Sequence, residues 1–295
     1  MMLQHQAGDA GKLNIGEMIM HHAGDSNTIE FDYFFGIAQI HLPKWAPVHV
    51  GPLTLDLSPT KHVVFMILAA VLVFAVMKIA ANALEKQRAT GRAPTGFAGV
   101  IEGAVLWVRN DIAIANIGHG GEKFAPFIMT LFFLILYSNV MGLIPHGASA
   151  TGNLAVTAAL AIMVLLVMEI AGAMKLGFKG YMATVFPHYP GIEGIGAVVL
   201  SVSMAPIEVI GKLVKPFALA VRLFGNMTAG HFVILSLYGI IFLFGHLQGW
   251  NYVIGFTTAA LVTGIMLLEL LVAFLQAYVF ALLSSVFIGL MQHEH

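Results

Sequence analysis

The residues best able to do chemistry stand where the chain is otherwise most apolar. Glu208, Lys212, Lys215, Arg222, Asn226, His231, Glu269 and Gln276 punctuate a stretch from Ile195 to Met291 that is apolar almost throughout. Imidazole and carboxylate exchange protons readily, the imidazole near neutral pH. A guanidinium keeps its proton under all ordinary conditions, so it can attract a carboxylate yet never relay a proton. At about 100° and 1.5 Å per residue, Glu208 is rotated only about 40° from Arg222 and lies roughly 21 Å back along the axis. Asn226 is one turn on, and His231 is about half a revolution away, roughly 13.5 Å further. Glu269 and Gln276 share a face of a later helix, roughly 10 Å apart. Titratable groups therefore flank Arg222 on both sides. That pattern suits a proton relay in two half-paths that do not connect.

Each residue also has a plainer reading. Glu208 and Lys212 are spaced i, i+4 and suit a solvated salt bridge. Lys215 can snorkel to headgroups. Asn226 and Gln276 can serve as interhelical hydrogen bonds, and His231 with Glu269 as a packed polar pair. Arg222 has the weakest plain reading: no acidic residue lies within two turns of it, and a charge at mid-bilayer costs roughly 2.5–3.5 kcal/mol on insertion scales.

The elements that must position these groups follow from composition. Of 295 residues, 59% are hydrophobic and only 10% charged, against roughly 25% charged in soluble domains. Too little charge remains to cover a water-facing surface, so lipid is the main solvent. The net charge of -1 excludes a broad nucleic-acid face. With no cysteine there are no disulfides, thiolate metal sites or cysteine nucleophiles.

Residues 1–56 are polar and mixed, support at most short helices, and show no cleavable leader pattern. A first membrane helix is expected over 57–84, leaving into Lys86, Arg88 and Arg92, a basic cluster that marks the cytoplasmic side. Phe97, Ile101, Val105, Val108, Ile112 and Ala115 form an apolar stripe broken by Glu102, Arg109, Asn110 and Asp111, which predicts an amphipathic cytoplasmic surface helix over 97–117. Second and third spans fall within 124–176, with the uncharged turn Ala148 to Asn153 outside and Lys175 and Lys179 inside. Residues 190–291 hold two apolar stretches longer than a perpendicular crossing needs, read as a tilted hairpin turning at Gly245 and Gly249. The fold class is thus an all-α polytopic membrane protein: three roughly vertical spanning helices, one amphipathic surface helix, and a C-terminal hairpin of two long tilted membrane helices. The N-terminus is expected outside and the C-terminus in the cytoplasm.

Several segments resemble one family. Residues 215–231, KPFALAVRLFGNMTAGH, are similar to the signature of subunit a of the F-type ATP synthase, and the RLFGNM core is highly specific. LQAYVF at 275–280 resembles the family's final-helix motif, and NVMGLIP at 139–145 the end of its second span. The likeness runs from about Leu53 to the closing His293-Glu294-His295. It implies a proton-translocating stator in a bacterial inner membrane, with no catalytic chemistry, cofactor or metal of its own. The implied partners are a ring of c subunits, peripheral-stalk b subunits, lipid and the transported protons. It places the essential charge at Arg222, facing the ring's carboxylates, with Asn226 and Gln276 lining that contact, Glu208 near the cytoplasmic exit, and Asn139 in a matching motif. Two departures stand out. Many relatives carry Glu and His where this chain has His231 and Glu269, an exchange that implies the two lie close in space. Gly142 replaces an acidic residue of some relatives.

Rival readings are a proton-coupled secondary transporter or channel, an intramembrane enzyme and a structural anchor. No internal repeat pairs 57–176 with 190–291, as many transporters require. His21-His22-Ala23-Gly24-Asp25 suits scattered surface histidines better than a metal cluster, and no His-Glu-x-x-His or Gly-x-Ser-x-Gly pattern occurs. An anchor gives no reason for Arg222.

Overall fold

A computed structural model describes residues 26–33, 36–50, 53–55, 58–91, 93–144, 147–186, 194–244 and 250–292. The expected turn glycines Gly245 and Gly249, the His21-His22 cluster and the closing histidines lie outside them.

The leading segment departs from expectation. Where at most short helices were expected, its described residues form two antiparallel hairpins, β1 (Thr28–Tyr33) with β2 (Gly36–His41) and β3 (Val48–Val50) with β4 (Leu53–Leu55). Thr28 pairs with His41 and Tyr33 with Gly36 in the first, and Val48 pairs with Leu55 in the second. The alternation of β-branched and polar residues in TIEFDY and VHV is strand-like. Each run is short enough to pass for loop. Lys61 N–H donates to the Ser26 carbonyl at 3.0 Å and the Asn27 amide to the Pro59 carbonyl at 3.2 Å, which ties the first strand to the start of the first helix.

Six helices follow: α1 (Lys61–Ala89), α2 (Gly96–Trp107), α3 (Gly121–Gly142), α4 (Leu154–Val185), α5 (Ile195–Phe244) and α6 (Trp250–Gln292). Among the described residues, four stretches are long and apolar enough to cross a membrane: α1, α3, α4 and residues Tyr252–Gln292 of α6. At 1.5 Å per residue, the 50 residues of α5 extend about 75 Å, far more than the ~30 Å of hydrocarbon. Neither it nor α6, with 43 residues, can stand upright within a bilayer. Pro206 and Pro216 each withhold an N–H inside α5, loosening it at two points. Lys86 and Arg88 fill the last turn of α1, where cations favour the helix dipole.

The amphipathic helical run covers Gly96–Ile117, close to the expected span, but is less regular than its stripe predicts. After Trp107 the backbone passes into a π-helical stretch, Val108–Ile114, and ends in one α turn, Ala115–Ile117. A π turn takes in an extra residue, so the buried face slips. Val108 and Ile112 are buried as expected, but Ala113 and Ile117 take the place of Ala115, which is exposed, as is Phe97.

Internal packing divides the chain into two units, Met1–Lys61 with Asn226–Leu271, and His62–Gly225 with Val272–His295. The second holds the main core. Ile112 and Ile117 close on Ile128, Phe132 and Ile135 of α3, Val164 and Met168 of α4, Leu219 and Leu223 of α5, and Phe280 and Ile288 of α6. Trp107 stacks with Phe274 and Tyr278, with ring centroids 6.1 and 5.7 Å away, and makes an edge-to-face contact with Phe132. Within α4, Gly177 takes φ +68°, a left-handed turn that glycine adopts without strain. That bend lets Tyr181 turn back and donate its hydroxyl hydrogen bond to Glu169.

Candidate functional site

Along α5, Ala205, Lys212, Pro216, Leu219, Leu223 and Met227 are buried at three-, four- and seven-residue spacing. Glu208, Ala218, Arg222 and Asn226 are exposed along one flank of that stripe. The Arg222 guanidinium makes no ion pair or hydrogen bond among the described residues. Its backbone is held instead: the Gln276 amide, 3% exposed on α6, donates to the Arg222 carbonyl at 3.4 Å. That carbonyl has a second lone pair for the purpose. Gln276 therefore reaches the helix that carries the charge and leaves the guanidinium alone, which matches its plainer reading as an interhelical bond.

Glu208 is exposed and Lys212 is not, so the expected solvated pair does not describe Lys212. The Lys212 ammonium is buried, donates to Thr184 Oγ1 at 2.9 Å and sits 5.0 Å from the centre of the Tyr181 ring. A buried ammonium needs such partners. Spacing along one helix could not reveal them, because both lie beyond the bend in α4.

In the unit that contains Asn226–Leu271, Glu269 is 3% exposed and both carboxylate oxygens are buried without a hydrogen-bond partner among the described residues. Its side chain lies against Gly230, the neighbour of His231. A β-carbon at 230 would fall on the carboxylate, with Cδ 2.9 Å away. The site thus brings the His231 turn of α5 and Glu269 of α6 together through a glycine.

A further polar network lies where α1, α3 and the α3–α4 turn meet. Asn139 is fully buried; its amide donates to the Ala273 carbonyl at 3.3 Å, and it accepts from Thr151 Oγ1 at 2.5 Å. Thr151 in turn is 2.8 Å from Ser149 Oγ. His62, 5% exposed, places Nδ1 2.8 Å from the Ser149 carbonyl. Sequence reading singled out Asn139 but missed His62, Ser149 and Thr151. His62 opens a long apolar run, and only tertiary contact brings it to Ser149. Gly142 explains itself here, since a β-carbon would lie 3.0 Å from Ser149 Cα and 3.1 Å from its backbone nitrogen. Among the described residues, no three His, Asp or Glu side chains gather as metal ligands do.

The family model described as ATP synthase A chain matches residues 63–289. A chain named ATP synthase subunit a 2 from Chlorobaculum tepidum is 43% identical over 289 residues, covering 96% of this chain and 76% of that one. ATP synthase subunit a from Chloroherpeton thalassium is 44% identical over 93% of this chain and 77% of its own length. ATP synthase subunit a from Anaeromyxobacter dehalogenans is 41% identical over 94% and 70%. With the arginine-bearing stripe, the buried carboxylate and four membrane-length helices on the same chain, these matches establish that it belongs to the ATP synthase A chain family.

Proposed function

We propose that this chain is the stator of a bacterial F-type ATP synthase, lying against a rotating ring of c subunits and held by peripheral-stalk b subunits. Arg222 is the barrier in this reading. Protons reach a ring carboxylate through one half-path served by His231 and Glu269 and leave by a second that passes Glu208; Asn139 is a further candidate for the proton path. Asn226 shares the exposed stripe with Arg222 and lines the same contact with the ring. The membrane is the cell's inner membrane, with the N-terminus periplasmic and the C-terminus cytoplasmic.

The observation that carries this reading is the presentation of Arg222. A cation that no side chain of the described residues neutralises stands exposed on the flank of a helix that buries its neighbouring stripe. In lipid such a charge requires a counter-charge from outside the chain, and a passing carboxylate supplies one. Because the guanidinium cannot release its proton, each carboxylate must discharge on one side and recharge on the other. Each proton crossing is driven by about 2.3 kcal/mol per 100 mV, all of which a leak past the barrier would dissipate.

The test is Arg222→Ala in inverted membrane vesicles. ATP-driven acidification is expected to vanish while stator and ring still co-purify. Persistent pumping would overturn the assignment.

A further inference from the structure

We infer that Asn139 of α3 is a positioning residue for Arg222: it ties down α6 within one helical turn of the point where Gln276 holds the Arg222 carbonyl. This role rests on the barrier reading of Arg222 and gives Asn139 a task that moves no proton.

Two side-chain amides bind helix backbone in sequence. The Asn139 amide donates to the Ala273 carbonyl at 3.3 Å, and three residues further along α6 the Gln276 amide donates to the Arg222 carbonyl at 3.4 Å. Three residues are about 4.5 Å of helix, so both bonds fall within one turn. Asn139, Ala273, Gln276 and Arg222 all belong to the unit formed by His62–Gly225 and Val272–His295. Ala273 and Arg222 lie inside helices, so each carbonyl takes the extra donor on its second lone pair. The Asn139 amide is itself fixed. A carbonyl can only accept, so the amide nitrogen faces Ala273 and the amide oxygen accepts from the Thr151 hydroxyl at 2.5 Å. Thr151 is in turn 2.8 Å from Ser149 Oγ, and both residues are buried. The row thus runs from the α3–α4 turn through α3 and α6 to the backbone of the arginine.

At this level the buried face of α6 is built on Ala273 and Ala277, neither of which has any exposed surface. Side chains so small let neighbouring helices approach closely but interlock little with them. Apolar burial does not drive helices together in lipid either, so directional hydrogen bonds add the register that the alanines lack. An asparagine with no exposed surface and both ends of its amide bonded suits that task. It does not suit a relay, because an amide does not titrate. Each passing ring carboxylate attracts the guanidinium. Gln276, and Asn139 behind it, keep the α5 backbone from following.

The test uses the assembled complex in inverted vesicles and reads protons pumped per ATP hydrolysed at matched stator content. Asn139→Leu keeps the branching of the side chain and removes the donor to Ala273. The pumping ratio is expected to fall about tenfold or more. Passive proton leak, measured once the catalytic sector is stripped, is expected to rise above that of the wild type. The same change leaves the buried Thr151 hydroxyl without its acceptor, which costs stability on its own account. Asn139→Leu combined with Ser149→Ala and Thr151→Val makes the whole row apolar and separates the two effects. Thermal stability of the complex should recover toward that of the wild type, whereas the pumping ratio should not. Wild-type coupling in this triple variant would overturn the proposal, since the row would then serve stability alone. A passive leak below that of the wild type in Asn139→Leu would overturn it too, as the mark of a residue on the path itself. Arg222→Ala run in parallel separates the two ideas: if it abolishes pumping while the Asn139 variants stay coupled, only the role of Asn139 fails.

Discussion

Gly230 and Glu269 meet across two helices so closely that the side chain of one occupies the space where a β-carbon of the other would lie. The carboxylate is buried and its oxygens find no hydrogen-bond partner among the described residues. An isolated carboxylate in such a place is expensive to hold as an anion, so it must be neutralised by a proton or a partner. In Gly230→Ala the new methyl group meets the tip of a flexible side chain, so the helices can stay in place while the carboxylate turns aside. Proton influx is expected to fall severalfold with assembly intact. Shortening the partner in Gly230→Ala with Glu269→Asp should recover part of it. Initial rates of vesicle acidification at matched stator content measure both.

The same relationship bears on the exchanged pair. His231 follows Gly230 directly, so its backbone stands beside the point where Glu269 of α6 meets α5. If they work as one unit, His231→Glu combined with Glu269→His should pump better than either single change, because the double variant restores one imidazole and one carboxylate. Energies of neighbouring residues that act together do not add. A double variant no better than the worse single would show that the two act separately.

At Gly142 the collision is with backbone. Ser149 Cα and its nitrogen lie 3.0 and 3.1 Å from a β-carbon at that position, and neither can rotate away. Gly142→Ala should therefore displace the α3–α4 turn and destabilise the chain by about 1–3 kcal/mol. Thermal denaturation of the detergent-solubilised complex, followed by loss of the stator from the ring, measures it. Unchanged stability would mean that the turn moves freely.

Much of this architecture is legible in the sequence because lipid imposes simple rules. Charge-free runs mark the spans, and the excess length of α5 and α6 shows in the gap between Leu223 and Leu268. The burial of Glu269 and Gln276 on one face of α6 follows from their seven-residue spacing. What escapes has physical causes. The π turn after Trp107 moves the buried stripe by one residue, and no 3.6-residue period anticipates that. The two hairpins before Lys61 owe their form to pairing between strands of six and three residues, too short to stand out by composition. Lys212 reads as half of a surface pair with Glu208 because its true partners, Thr184 and Tyr181, are reached only through the bend at Gly177. His62 carries no local signal at all, since its partner is 87 residues away.

Lys212 itself gives a prediction that separates packing from conduction. Its ammonium is satisfied by one hydroxyl and one aromatic face, so Lys212→Met keeps the stem and removes the charge. The loss should be small, within about 1 kcal/mol, because a buried charge is costly to begin with. Pumping at matched stator content should stay near that of the wild type. Thr184→Val, by contrast, strips the ammonium of its hydroxyl and should destabilise more. If Lys212→Met instead stops pumping while assembly survives, the exit path runs past Lys212 as well as Glu208.

Arg222→Lys probes the barrier more finely than removal of the charge. Both side chains are cations, but an ammonium is compact, presents three donors without a planar fork, and can lose its proton when desolvated. Arg222 stands on the exposed stripe of α5, away from the Gln276 amide that holds its backbone carbonyl, so the substitution should leave that hydrogen bond and the fold unchanged. The expected result is an assembled complex in which ATP-driven acidification is lost or nearly so. Once the catalytic sector is stripped, its passive proton leak should exceed that of the wild type, since lysine at this position can hand a proton across. A lysine variant that pumps normally with no added leak would mean that positive charge alone makes the barrier, and that the refusal of arginine to titrate plays no part.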